Sequence, residues 1–226
     1  MIMYWILFIG TALASWIVSA VFNSRMKKFS QVALDRNMTG ADVARKMLKD
    51  SGIYDVQVVA TGGMLTDHYN PLNKTVNLSE SVYASNSVAA AAVAAHECGH
   101  AVQHAKAYAP LKMRSALVPA VNFSSKYVMW VLLGGMLVIN TFPQLMLAGI
   151  VLFGLTTLFS FVTLPVEIDA SRRALVWLRT EGITNNSLQP MAESALRSAA
   201  YTYVVAALSS LATLIYYIMI FTGRRN

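Results

Sequence analysis

The sequence predicts a mainly α-helical membrane protein, with about four transmembrane helices and an α+β region that carries a small sheet. Three observations predict it. Apolar residues make up 56% of the 226-residue chain and charged residues only 13%, where a soluble domain is nearer a quarter charged. Four apolar runs approach the roughly 20 residues that a spanning helix needs. Between the first and second runs lie turn residues and β-branched stretches that a bundle of spans does not require. We read the chain as one integral-membrane domain, 1–226.

The first span is 2–22. It has no basic residues ahead of it and is as long as a true span, so it reads as a retained helix rather than a cleaved signal peptide. A basic stretch with Arg25, Lys27 and Lys28 follows. Thr39, with Asp42 three residues on, has the form of a capping box, and Gly52 stands past the other end. A short amphipathic helix is expected between them, with Val43, Met47 and Leu48 inward and Arg45, Lys46 and Lys49 outward. Residues 54–60, 65–69 and 75–78 read as three short strands, the last two around a turn-forming cluster at 70–74. An alanine-rich run, Val88–Ala105, holds no helix breaker except Gly99 and reads as a helix capped by Ser85 or Ser87. The other spans are 118–139, 145–166 and 201–221. A short uncharged turn joins the second to the third, which makes them a helical hairpin. Gly134, Gly135, Gly149 and Gly154 permit close helix packing, and the oligomeric state is open.

Basic residues collect on the cytoplasmic side of a membrane. Residues 23–117 carry eleven Lys and Arg and 167–200 carry four, while the N-terminal tail and the hairpin turn carry none. Both polar segments are therefore expected in the cytoplasm, with the N-terminus outside; only Arg224 and Arg225 argue the other way. The net charge of +7 then reports topology and attraction to anionic headgroups. No nucleic-acid partner is expected, because no folded basic domain with stacking aromatics is present. Lys126 interrupts the second span and is expected to snorkel to the surface, the alternative being a polar cavity. Cys98 is the single cysteine, so no intramolecular disulfide can form, which agrees with a reducing compartment.

Within the alanine-rich run stands His96-Glu97-Cys98-Gly99-His100, an H-E-x-x-H pentapeptide. Residues four apart share a helix face, so His96 and His100 can converge on one metal ion. Glu97 points to the side, where it reaches a metal-bound water. That is the layout of a zinc peptidase. Such a site usually takes three protein ligands. Candidates for the third are His104, His68, Glu167, Asp169 and Glu193. His104 continues the face, but it stands roughly 12 Å along the axis from His96, too far to share an ion with bonds near 2 Å. The metzincin pattern is excluded, because Gln103 and Lys106 stand where it needs glycine and histidine. Glu167 leads, since a carboxylate at the end of the third span is costly unless paired or metal-bound. Asp169 is second.

Residues 65–71, 74–83, 95–103 and 164–174 resemble the bacterial membrane zinc metallopeptidases of the YugP type, and the likeness covers nearly the whole chain, spans included. The two-part motif is also similar to the wider membrane gluzincins, the HtpX type among them. In those relatives the third zinc ligand is a glutamate three residues before an alanine and four before an aspartate. Carried over, Glu167 takes the ligand place and Ala170 matches the alanine. Ser171 stands where the relatives have aspartate, so their supporting carboxylate is missing and Asp169 is the candidate to replace it.

The resemblance implies a multi-pass protein of the bacterial inner membrane, with a gluzincin-like metallopeptidase region on the cytoplasmic side. It implies a zinc-dependent endopeptidase with one Zn2+ per chain; the place of Glu167, at the end of the third span, favours membrane proteins or their juxtamembrane segments as the peptide substrates. Zinc would acidify a water towards pKa 7 and Glu97 would take its proton as general base. His68, Tyr201, Tyr203 and Arg197 are candidate oxyanion donors. His68, His104, Asp169, Arg173, Tyr201 and Tyr203 are candidates for supporting the ligands or touching substrate. Imidazole and carboxylate ligands also suit cobalt, iron and nickel. Two other readings stand beside this one. A divalent-metal carrier would hold its ion at the bilayer midplane, but the motif helix lies between segments rich in Lys and Arg, and four spans are few. A non-catalytic metal-binding membrane protein is the third.

Overall fold

Ten elements account for most of the chain in a computed structural model that describes residues 2–223, with side chains from Trp5 onward. Arg224 and Arg225, the charges that oppose the expected topology, lie outside the described residues. In order the elements are α1 (Ile2–Phe29), α2 (Gly40–Asp50), β1 (Gln57–Thr61), β2 (His68–Asn70), β3 (Thr75–Ser79), α3 (Glu80–Tyr83), α4 (Val88–Ala105), α5 (Ala109–Leu137), α6 (Pro143–Thr180) and α7 (Gln189–Gly223). Helices α1, α5, α6 and α7 are long and apolar enough to cross a membrane.

The long helices exceed the predicted spans. Helix α1 runs on to Phe29 through the basic stretch. Helix α5 starts at Ala109, not 118, continues through Pro119 and ends at Leu137. Helix α7 starts at Gln189, not 201. The largest departure is α6. The third span was expected to end at 166, yet one helix of 38 residues, with Pro165 inside it, runs on to Thr180. Proline removes one hydrogen bond from a helix interior, at about 3 kcal/mol. Here Val166, Ala170, Ala174 and Leu178, an i, i+4 stripe, are all fully buried. Burial of that stripe offsets the cost of the proline.

The chain forms two compact units. One comprises α1 to Ile17, residues Lys112–Leu164 and α7 from Thr202. Within it α5 and α6 form the predicted hairpin. A Cβ on Gly135 would meet the Met146 Cα at 2.6 Å, and one on Gly149 would meet Leu132 Cδ2 at 2.7 Å, so these two glycines set the helix spacing. Gly154 has nothing within 4 Å. Thr157 and Ser210 join α6 to α7 by a hydroxyl hydrogen bond of 2.7 Å. Lys126 is exposed, its ammonium 5.5 Å from the centre of the Tyr127 ring.

The other unit comprises Val18–Leu111 and Pro165–Tyr201. Helix α2 begins with the expected capping box: Thr39 and Asp42 each accept from the other's backbone. Gly52, just past its end, has φ +72°, which favours glycine. The sheet has order β1-β3-β2, with β1 parallel and β2 antiparallel to the central β3. Strand β2 pairs His68 with Asn77, Tyr69 with Val76 and Asn70 with Thr75. Val76 and Leu78 of β3 are fully buried, in a core with Val43, Met47 and Leu48 of α2, the alanines of α4 and Leu178 of α6. The Ser87 hydroxyl caps α4 by accepting from Ala90 N, and Ser85 in turn donates to Ser87.

Candidate metal centre

Alanine gives α4 its high helix propensity, and the capped N-terminus fixes where its turns begin. His96 and His100 then stand on one face, ring centres 4.8 Å apart. Glu167 comes from α6, on the turn that packs against Gly99. Its Oε2 lies 3.3 Å from His96 Nε2 and 3.6 Å from His100 Nε2. The three ligand atoms lie within 4.8 Å of one another. A tetrahedral ion with bonds near 2 Å spaces its ligand atoms about 3.3 Å apart. Two imidazole nitrogens and one carboxylate oxygen at these separations fit a zinc ion, in donor chemistry and in size.

Hydrogen bonds on the far side of each ring hold it in place. His100 Nδ1 lies 3.1 Å from Gln103 Oε1. Gln103 is fully buried, and its amide nitrogen donates to Val166 O at 2.8 Å and to Asp169 Oδ2 at 2.9 Å. With the amide NH2 committed, Oε1 is left to accept from His100 Nδ1–H. A neutral ring held this way would turn its Nε2 lone pair to the place of an ion, as a metal ligand requires, and a protonated ring would turn Nε2–H to Glu167. Ser171 Oγ lies 3.1 Å from His96 Nδ1. Burial opposes charge on His100, but the hydrogen bond to Glu167 and the charges of Glu97 and Glu167 outweigh it and raise its pKa above the ordinary imidazole value.

Glu97 is buried and its Oε2 accepts from Tyr69 N, in β2, at 3.0 Å. Asp169 reaches His100 through Gln103 rather than directly, and also accepts from Arg173 Nε at 2.6 Å. The Arg173 guanidinium lies over the Tyr108 ring. Ser171, not Asp169, stands behind His96. His104 is bonded to the Tyr69 phenol at 2.8 Å. His68 Nδ1 lies 2.7 Å from Thr66 O. Glu193 is exposed and paired with Arg197 at 2.7 Å. Tyr201 and Tyr203 are exposed on α7, Tyr203 in the other compact unit.

Residues 4–222 match the protein family described as "Putative neutral zinc metallopeptidase". The chain belongs to that family. It is 42% identical over 203 residues to the "Putative membrane protease YugP" of Bacillus subtilis (strain 168), covering 90% of this chain and 89% of that protein. No solved structure matches the chain. A zinc peptidase family accounts for two imidazoles and a carboxylate meeting in one place. Gln103 and Tyr69 are the members of the centre that sequence reasoning missed. A neutral polar residue one turn beyond His100 was the available signal for Gln103; none marked Tyr69.

Proposed function

We propose that the protein is a zinc-dependent endopeptidase of the bacterial inner membrane, acting at the cytoplasmic face on membrane proteins or their juxtamembrane segments. The convergence of His96, His100 and Glu167 carries this reading. Those three residues would hold one zinc ion, which supplies Lewis acidity to a water and to a scissile carbonyl. Glu97, one residue from His96 on the same helix, takes a proton from the attacking water and returns it to the leaving amine. Gln103 and Ser171 keep both imidazoles aimed at the ion. Strand β2 is an outer strand of the sheet, and its central main-chain N–H meets Glu97.

The membrane assignment rests on α1, α5, α6 and α7, and the orientation on the basic residues of 23–117 and 167–200. Glu167 directly follows the apolar run 145–166 on the same helix, which favours substrates at the bilayer surface. The test is purified protein in detergent, with bound metal and cleavage of a casein-like substrate measured together. The wild type should hold one zinc and cleave in a chelator-sensitive manner. Glu97→Gln should keep the zinc and lose 10²-fold or more in rate, and Glu167→Ala should lose the zinc. Full cleavage by Glu97→Gln, or zinc uptake into proteoliposomes without cleavage, would overturn the proposal in favour of a scaffold or a carrier.

A further inference from the structure

Glu97 and His104 are seven residues apart on α4, which places them on one face and about 10.5 Å apart along the axis. Tyr69 bridges them. Its main-chain N–H donates to Glu97 Oε2 at 3.0 Å, and its phenol is hydrogen-bonded to His104 Nδ1 at 2.8 Å, with the two rings in tilted contact. Tyr69 is the middle residue of β2, which is only three residues long. Both flanks of the strand are pinned locally. Asp67 accepts from Ser79 N at 2.8 Å, and Asn70 Oδ1 accepts from Leu72 N and Asn73 N. Neither of these ties reaches α4. Apart from the ladder to β3, Tyr69 makes two hydrogen bonds that tie this strand to α4.

We infer that Tyr69 is a positioning residue for Glu97, anchored through its phenol by His104. The main-chain N–H fixes one carboxylate oxygen of Glu97 and so sets where the other can meet a water. His104 thereby acts on the reaction through β2, without touching the metal ligands. The inference rests on the peptidase reading of Glu97.

The test compares Tyr69→Phe, His104→Ala, His104→Asn and the Tyr69→Phe/His104→Ala double variant in the full-length, zinc-loaded protein. Each of the first two should lower kcat at least tenfold, with KM within twofold and zinc content unchanged. Asn Oδ1 sits close to the place of Nδ1, so His104→Asn should recover most of the loss. The double variant should be no worse than the poorer single one, because both break the same tie. Hydrogen exchange supplies a readout that needs no turnover. In metal-free protein, the segment holding the Tyr69 amide should exchange at least fivefold faster in Tyr69→Phe, in His104→Ala and in Glu97→Ala. Wild-type kcat in either single variant, losses that track zinc content, or additive losses would overturn the inference. Should the wild type hydrolyse nothing, the peptidase reading falls and exchange alone decides the tie: faster exchange upholds it and unchanged exchange overturns it.

Discussion

Gly99 of α4 lies against the backbone of Ala170 of α6 with no room for a side chain. A Cβ on Gly99 would stand 2.6 Å from the Ala170 carbonyl oxygen and 3.0 Å from its Cα. Neither is the end of a flexible side chain, so the helices themselves would have to part. Ala170 is one turn beyond Glu167, and Gly99 lies between the two histidines in sequence. The close approach is what lets Glu167 reach both imidazoles. Gly99→Ala should therefore weaken zinc binding at least tenfold and lower thermal stability, by the 1–3 kcal/mol or more typical of forced overpacking. Zinc titration and melting of the same preparation check both. Unchanged zinc affinity would show that the helix spacing does not govern the site.

Gln103 links His100 to α6 through three hydrogen bonds without any exposure to solvent. Gln103→Ala leaves His100 Nδ1 without this acceptor and removes the amide donor from Val166 O and Asp169. Loss of such a supporting group costs 10–100-fold in metal affinity in comparable sites. The same range is expected here, with the larger effect at Gln103 than in Ser171→Ala, because Ser171 makes a single bond to His96 and is only partly buried. Competition with a zinc chelator ranks the two.

The parts of the site that sequence made legible are those built from local spacing. His96, Glu97 and His100 are one helical turn, and the caps of α2 and α4 are read from Thr39, Asp42 and Ser87. Glu167 stood out because a carboxylate beside an apolar run is expensive. What stayed hidden depends on which elements lie side by side. Gln103 is an ordinary polar residue until α6 presents Val166 O and Asp169 to it. Tyr69 read as a strand residue, and its role comes from the face of α4 across from it. The length of α6 beyond 166 stayed hidden because Pro165 is costly inside a helix, and the stripe of Val166, Ala170, Ala174 and Leu178 offsets it only once packed.

Cys98 lies between Glu97 and His100 in sequence yet should be chemically silent. Its side chain is fully buried, with Sγ 3.5 Å from Ala44 O. Burial, and then the charge of Glu97, push the thiol's pKa well above its ordinary range, so almost no thiolate is available to react. Native protein should take up no maleimide over hours at pH 8, and one equivalent once unfolded in denaturant. Mass spectrometry of the intact chain counts the adducts. Rapid labelling of native protein would mean that α4 opens at the metal centre.

Protons and metal compete for His100. In the metal-free protein its pKa is raised above 6.5, with burial opposing the charge and Glu167 and Glu97 favouring it more strongly. A raised folded-state pKa means that protonated His100 stabilises the metal-free fold fully below about pH 6.5. That contribution is lost as pH rises through the raised value. Zinc needs the neutral ring, so its binding releases a proton and strengthens over the same interval. The melting temperature of metal-stripped protein should fall from pH 6 to pH 8 relative to the zinc-loaded form, and the gap between them should widen. Apparent zinc affinity should fall on acidification, starting above pH 6.5. His100→Ala, which removes both the ligand and the proton site, should flatten both trends. A gap that narrows with rising pH would contradict the pairing of His100 with Glu167.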